Sequence, residues 1–305
     1  MRKYIARKVL LFFPVLLAVV TLTFFLIRLA PGGPFDRDKN VPPEVQRSLE
    51  KYYHLDEPLL KQYIRYLNGI IHVDFGPSFR KPSYSVREWI MMRIPISFEL
   101  GIYSLIFALV IGTLCGLISA SYQNTWIDSC LTSFAVLGIC IPAFVLGPLL
   151  VLIFALYWEI LPVGGWDFPQ QKILPSISLG FIYSAYIARI IRSGIIEVLK
   201  QDYIRTAKAK GASKTRILFI HALKGSLQPL IAFLGPAIAG LLTGSFVVET
   251  IFQIPGLGRE FVEATFNRDY TMITGIVIIY AILILIFNLI VDIIQGWLDP
   301  RISYE

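Results

Sequence analysis

The residue types that most often carry out chemistry are sparse in this sequence and do not form a catalytic motif. The three histidines, His54, His72 and His221, are far apart and match no metal-ligand spacing. No HExxH or GxSxG pattern occurs, and because the sequence contains no Gly-Lys pair it cannot form a phosphate-binding P-loop. The GxG pattern that begins at Gly256 is expected to be a turn. We therefore expect a chain that is not an enzyme and that holds no cofactor or metal of its own.

The composition argues against a soluble enzyme, a disordered chain and a nucleic-acid-binding protein. Only 16% of the residues are charged, whereas about 25% is typical of a soluble domain. Residues of the AVILMFWYC set make up 55% of the chain, and the mean hydropathy is +0.65. We attribute the net charge of +7 to Lys and Arg beside membrane segments. The composition therefore predicts an all-α polytopic membrane protein.

Six stretches are apolar enough to cross a bilayer as helices, which takes about 20 residues each. The third and fifth contain two prolines apiece, which are candidates for kinks that line a path, with ordinary packing as the alternative. The glycine pair Gly112-x3-Gly116 predicts close approach of two helices. The predicted spans are Val9–Ile27, Leu100–Ile127, Ser129–Trp158, Ile173–Ala188, Ser226–Val248 and Tyr270–Val291.

Ionisable residues fall near the ends of these spans and not at their centres. Transporters driven by ion gradients usually carry such groups inside the membrane. If this protein moves a solute uphill, its energy is therefore expected to come from another chain. The residues concerned are Arg28, Glu99, Arg189, Glu249 and Asp292.

The distribution of Lys and Arg predicts that both termini lie in the cytoplasm. In that orientation the inner segments carry fourteen basic residues and the short outer loops carry three. We divide the chain into an N-terminal tail and first span at 1–30, an extracytoplasmic loop at 31–95, a five-helix core at 96–298 and a tail at 299–305.

The extracytoplasmic loop is expected to contain short amphipathic helices on or near the outer membrane face. One begins at Pro42-Pro43, and the stretch Glu57–Val73 shows the same helical spacing of apolar residues. Ser85 and Glu88 have the spacing of a capping box.

Residues 189–225 hold nine basic residues and two acids between two predicted spans. Gly211 suits the left-handed position that ends a helix, and Ser213 can cap a second helix that runs through His221 towards Gly225. The product is a helix–turn–helix elbow, and the alternative is a basic loop bound to anionic lipid headgroups. Four apolar residues at helical spacing predict that the first helix is continuous: Ile196, Leu199, Tyr203 and Ala207.

The string Arg205-Thr206-Ala207-x3-Gly211-x9-His221-Ala222-Leu223 resembles the EAA loop of membrane subunits in bacterial ABC importers. Its general form is Glu-Ala-Ala-x3-Gly-x9-Ile-x-Leu-Pro, and the departures at Arg205, Thr206, His221 and Lys224 resemble the peptide and nickel branch. Further stretches agree with that branch: Arg28-Leu29-Ala30-Pro31-Gly32, Asp74-Phe75-Gly76-Pro77-Ser78-Phe79, Gly164-Gly165-Trp166, Thr243-Gly244-Ser245, Ile254-Pro255-Gly256-Leu257-Gly258, Asn267-Arg268-Asp269-Tyr270 and Asp299-Pro300-Arg301.

The resemblance implies a type I importer permease fold with six transmembrane helices. It further implies a homologous second permease subunit, two cytoplasmic ATPase subunits that carry ATP and Mg, and an extracytoplasmic peptide-binding protein, with oligopeptides as the solute. The segment at about 193–225 would be the coupling loop that contacts the ATPase. Its expected contact residues are Tyr203, Arg205, Thr206, Ala207, Lys210, Gly211, His221, Ala222 and Leu223.

Two outer loops, at 31–95 and 253–271, are candidates for docking the binding protein. A solvated rim is the alternative for both. The charged candidates in the second loop are Arg259, Glu260, Glu263, Arg268 and Asp269.

Several other functions remain open from the sequence. Within the same branch, the solute could be a dipeptide, nickel or another small solute. A secondary transporter predicts acids at membrane depth, an intramembrane protease predicts a catalytic pair there, and a scaffold or receptor predicts that flux does not depend on the chain.

Overall fold

The computed structural model describes residues 2–30, 33–34, 43–81, 83–242 and 245–298. The predicted tail at 299–305 and Gly244 lie outside the described residues. Helices and short turns make up the described chain. In chain order the helices are α1 (Arg2–Leu29), α2 (Pro43–Tyr52), α3 (Leu59–Ile71), α4 (Val86–Ser121), α5 (Trp126–Cys140), α6 (Ala143–Leu150), α7 (Ile173–Leu199), α8 (Asp202–Ala209), α9 (Lys214–Arg216), α10 (Leu223–Leu242), α11 (Phe246–Ile251), α12 (Leu257–Phe266) and α13 (Tyr270–Leu298).

Five spans and one bent pair are long and apolar enough to cross a membrane. The five contain α1, α4, α7, α10 and α13, and α9 continues into α10 through a π-helical stretch at Ile217–Ala222. The bent pair consists of α5 and α6, and α6 continues into a π-helical stretch at Val151–Tyr157. The chain bends by 108° at the break between the two helices. With the pair taken as one span, the described residues contain the six spans that the sequence predicts.

The second span lies earlier in the chain than the predicted Leu100–Ile127. The Ser85 hydroxyl accepts from the Glu88 backbone N–H at 3.2 Å, and the Ser85 N–H donates to Glu88 Oε2 at 3.1 Å, so the predicted capping box is confirmed and starts α4 at Val86. The charged residues on the first turns of α4 hide this start from a search for charge-free stretches. The helix ends at Ser121, before a turn in which Asn124 has a φ of 62°.

Two further boundaries differ from the predicted ones. The fourth span does not stop at Ala188 but continues to Leu199. The fifth span ends at Leu242, so Val248 belongs to the separate helix α11. The prolines at 229 and 236 lie inside α10, whereas the third span breaks immediately before Pro142. A kink is therefore found in the third span and no helix break accompanies the two prolines of the fifth.

The centre of the molecule is the close packing of α4 against α7. A Cβ atom at Gly112 would lie 2.6 Å from the Ser184 carbonyl oxygen, and one at Gly116 would lie 2.7 Å from that of Ala188. Because any side chain at these two positions would push the helices apart, the predicted glycine contact is confirmed.

The loop between the first two spans contains, within its described residues, the amphipathic helices expected from its sequence. The side chain of Phe24 in α1 contacts the rings of Tyr63 and Tyr66 in α3, with centroid distances of 5.2 and 5.4 Å. On α3, Leu60 and Ile64 remain exposed. One side of α3 therefore packs on the first span and another side is apolar and uncovered.

Candidate functional site

The segment between α7 and the fifth span, residues 200–216, is called the elbow here. The predicted continuous helix from Ile196 to Ala207 is wrong, because α7 ends at Leu199. Gln201 has an extended backbone (φ −72°, ψ 150°) and α8 begins at the next residue. The apolar stripe traced across this break therefore does not exist as one helix face.

A single buried side chain fixes α8 to the rest of the protein. Ile204 is completely buried, while Tyr203, Arg205 and Thr206 around it are exposed. The burial of Ile204 is not predicted from the sequence, because the helical register of α7 does not continue into α8. Because Ile204 holds α8 in place, the three predicted contact residues beside it form an exposed surface.

The turn after α8 has the predicted geometry. Gly211 has a φ of 80°, and its N–H donates to the Lys208 carbonyl at 2.9 Å. The Ser213 hydroxyl then accepts from the Arg216 N–H at 3.3 Å and caps α9. Lys210 and Gly211 are exposed at this corner.

His221, Ala222 and Leu223 belong to the second helix that the sequence predicts. They lie within the continuous helix that runs from Lys214 into the fifth span, and Ala222 is fully buried. The helix does not end at Gly225, and this glycine packs against α7. A Cβ atom there would lie 2.5 Å from Val198 Cγ2.

The exposed surface of the elbow carries an excess of positive charge. Within the described residues, its one ion pair joins Arg205 to Asp202 at 3.4 Å, with side-chain exposures of 79% and 94%. Such an exposed pair contributes at most about 1 kcal/mol. The exposed cations are Lys200, Arg205, Lys208, Lys210, Lys214 and Arg216.

A partly buried ion pair between α5 and α7 has no counterpart among the sequence predictions. The Arg192 guanidinium in α7 donates to both carboxylate oxygens of Asp128 at 2.7 Å each. Asp128 also accepts from the Asn124 N–H at 3.0 Å. These bonds tie the α4–α5 turn to the α7 helix. Sequence spacing gives no signal for this contact, since the two partners are 64 residues apart.

At the opposite end of the spans, α11, α12 and the residues up to 269 form a second surface, called the cap. Ser97 Oγ accepts from the Leu257 N–H at 2.8 Å, and Glu249 Oε2 accepts from the Arg259 N–H at 3.1 Å. These side chains bind the free N–H groups at the start of α12, so the turn predicted at Gly256 leads into a helix N-terminus. Glu249 belongs to α11, between the fifth and sixth spans, and burial raises the pKa of its carboxyl to about 7.

Two of the five predicted docking residues are buried inside the cap. Glu260 binds Lys81 Nζ at 2.6 Å and has Arg93 Nη2 at 3.8 Å. Asp269 accepts from the Ser78 hydroxyl and from the Phe79 N–H, the latter at 3.2 Å. Both residues are only 3% exposed, so their carboxylates hold this chain together and are not presented on its surface.

The other three docking candidates lie nearer the surface. Arg259 Nε donates to Glu263 Oε1 at 2.9 Å, and their side chains are 35% and 43% exposed. Arg268 has a φ of 55° and donates to the Gly33 carbonyl at 3.2 Å. The described residues contain no group of three or more His, Cys, Asp or Glu side chains placed to hold a metal ion.

Comparison with known proteins identifies the family. Residues 112–304 match the model of the binding-protein-dependent transport system inner membrane component, and residues 1–101 match the N-terminal model of the same kind of membrane component. The chain belongs to this family. It is therefore a multi-pass inner-membrane permease subunit of an importer, a non-catalytic class in which ATP hydrolysis belongs to separate subunits. Such an importer in general includes a partner permease, ATPases and a binding protein.

Curated relatives match along the whole chain. The oligopeptide transport system permease protein OppB of Haemophilus influenzae is 46% identical, and OppB of Escherichia coli is 44% identical, each over 100% of both chains. The dipeptide transport system permease protein DppB of Bacillus subtilis is 45% identical over 99% of this chain and 98% of its own.

A solved structure supports the fold. A chain of the inward-facing MetNI methionine ABC transporter superposes with a TM-score of 0.58 at 16% identity, covering 69% of this chain and 96% of that chain. The type I importer permease fold expected from the sequence is thereby confirmed.

Proposed function

We propose that this chain forms half of the path by which an ATP-driven importer moves oligopeptides across the cytoplasmic membrane. Its partners would be a homologous second permease, two ATPase subunits that hold ATP and Mg, and an extracytoplasmic peptide-binding protein. Both termini and the elbow would face the cytoplasm, and the cap would face outward. The full-length identity of 44–46% to OppB supports oligopeptides as the solute.

One observation carries the proposed mechanism. The elbow connects α7 directly to the helix of the fifth span, while most of its surface is exposed and basic. A partner bound to Tyr203, Arg205, Thr206 and Lys210 would move both helices together. Closure of the ATPase dimer would thus rotate the spans, which act as the two-state element of the transporter.

The cap is proposed as the docking surface for the binding protein. With Glu260 and Asp269 used internally, Arg259, Glu263 and Arg268 remain as its charged candidates. Dipeptide import is the second candidate function, because the DppB relative is as similar as the OppB relatives.

The substrate assignment is tested by reconstituting the complete transporter in proteoliposomes and measuring ATP-dependent uptake of a labelled pentapeptide, a dipeptide and Ni²⁺. The proposal predicts pentapeptide uptake that depends on ATP and on the binding protein. Uptake restricted to the dipeptide would favour the second candidate, and uptake restricted to Ni²⁺ would contradict both.

The coupling role is tested at Gly211. Proline cannot adopt the left-handed conformation and lacks the N–H that binds Lys208, so Gly211→Pro should abolish uptake with normal membrane insertion. Asparagine tolerates that conformation, and Gly211→Asn should therefore retain most uptake. Normal ATP-driven uptake by Gly211→Pro would contradict the assignment.

A further inference from the structure

The exposed surfaces of two spans differ in chemistry. Among the most exposed side chains of α1 are Leu10, Phe13, Leu22 and Leu26, at 60–68% exposure, as expected of a helix that faces lipid. Among the described spans α7 is the most deeply buried. Its exposed side chains are Ile173 at its start, Glu197 near its end and, between them, Tyr186, Arg189 and Ser193, which follow helical spacing.

These three residues border a cavity between α7 and α5. Its volume is about 510 Å³. The Tyr186 ring is held at one side of it by contact with the Phe233 ring of α10, with 5.6 Å between centroids. The cavity is lined by Thr132, Tyr186, Arg189, Ile190, Arg192 and Ser193.

The cavity carries a positive charge that the described chain does not balance. Arg192 is neutralised by Asp128 through two bonds of 2.7 Å. No carboxylate lies within ion-pair distance of Arg189 in the part of the chain that the structure describes. Because the fourth span continues to Leu199, Arg189 lies within that span and not at its end as the sequence predicts. An exposed arginine there is costly against hydrocarbon, so Arg189 requires water or an anion beside it.

We infer that this cavity is a section of the peptide path and that Arg189 binds the C-terminal carboxylate of the passing peptide. The inference rests on the proposed function. Side chains differ from one peptide to the next, whereas every linear peptide with a free C-terminus carries that carboxylate. A guanidinium can bind it through two parallel hydrogen bonds. The Tyr186 ring lies beside Arg189 as an uncharged surface that tolerates different side chains.

The first test compares Arg189→Gln and Arg189→Lys with wild type in the reconstituted transporter. One peptide is supplied in two forms, with a free and with an amidated C-terminus, and each uptake rate is divided by the wild-type rate for the same form. This ratio removes any preference of the binding protein for the free or the amidated form of the peptide. Arg189→Gln should lower uptake of the free acid about tenfold and leave the amide unchanged, with a smaller loss in Arg189→Lys.

Equal losses for both forms, or no loss for either, would overturn the inference. The same assay in vesicles without anionic lipid tests the other source of an anion at this site. If the Arg189→Gln defect disappears there and ignores the peptide terminus, Arg189 binds a lipid headgroup and the inference is wrong. If wild type imports no peptide at all, the proposed function fails instead.

The second test measures water access in a variant whose three native cysteines are replaced. Ser193→Cys should react with a membrane-impermeant thiol reagent, and transported peptide should slow the reaction. Leu26→Cys on the exposed face of α1 is the matched control and should not react. An unreactive Ser193→Cys would show that this face is not part of an aqueous path.

Discussion

The cap and the elbow differ in the burial and pairing of their charged side chains. In the cap, the carboxylates of Glu260 and Asp269 are 3% exposed and bind groups from distant parts of the same chain. In the elbow, the cations are exposed, and their one ion pair within the described residues is the weak contact of Arg205 with Asp202. The cap is therefore complete within this chain, whereas the elbow presents charge that a partner can use.

This difference predicts different consequences of mutation at the two ends. Removing one member of a buried ion pair costs about 3–5 kcal/mol, whereas an exposed pair contributes at most about 1 kcal/mol. Cap variants should lose stability, and elbow variants should lose association with partners at unchanged stability.

The largest effect is expected for Glu260→Ala. The change leaves Lys81 and Arg93 without their buried acceptor and should lower the free energy of unfolding by about 3–5 kcal/mol. Thermal unfolding in detergent measures it. Glu263→Ala on the same helix removes an exposed pair and should cost less than about 1 kcal/mol. Equal losses of unfolding free energy in the two variants would contradict the difference between the buried and the exposed charges of the cap.

Glu249 gives the cap a specific pH dependence. Its pKa is raised from 4.5 to about 7 by burial, so the folded protein favours the protonated form. The contribution of Glu249 to stability should be fully present below pH 4.5 and should be lost, by roughly 3 kcal/mol, as the pH rises from 4.5 to 7. Glu249→Gln lacks this titration and should unfold at a temperature that depends less on pH over this range. The same slope in wild type and variant would contradict the assignment.

A smaller loss is expected for Ser97→Ala. The Leu257 N–H at the start of α12 then has no side-chain acceptor, which costs about 1–2 kcal/mol. Ser193→Ala is a suitable control, because that hydroxyl is exposed and donates within its own helix. Chemical denaturation in mixed micelles compares the two, and an unchanged Ser97→Ala would argue against capping by this hydroxyl.

The smallest effect on stability is expected in the elbow. The double variant Arg205→Ala/Lys208→Ala should change the unfolding free energy by less than about 0.5 kcal/mol, because both side chains are exposed. Its co-purification with the ATPase subunits should nevertheless weaken, and the loss should be larger at low salt. Unfolding comparable to that of Glu260→Ala would contradict the contrast between the two ends.

Local features of the fold could be predicted from the sequence. Apolar runs predict the six spans, the Ser85–Glu88 spacing predicts a capping box, and Gly211 followed by Ser213 predicts the turn of the elbow. Each depends on residues within a few positions of one another, where helical geometry links sequence to structure. The predicted ends of the spans agree less well with the structure, since the charged residues on the first turns of α4 do not prevent helix formation.

Tertiary partners could not be predicted in the same way. Asp128 with Arg192, and Asp269 with Ser78, are joined across 64 and 191 residues, and no periodic pattern connects them. Ile204 was missed because a break of two residues after Leu199 changes the register of the helix. The elbow was therefore located correctly, while its anchor and the burial of two cap residues required the structure.

We propose that this chain is a passive channel subunit that separate ATPase subunits move through its elbow. The most direct measurement is accumulation of a labelled oligopeptide in proteoliposomes with and without those subunits, at saturating binding protein. We expect the oligopeptide to accumulate above its external concentration only when the ATPases and ATP are both present. Accumulation by the two permease chains in the absence of the ATPases would contradict it.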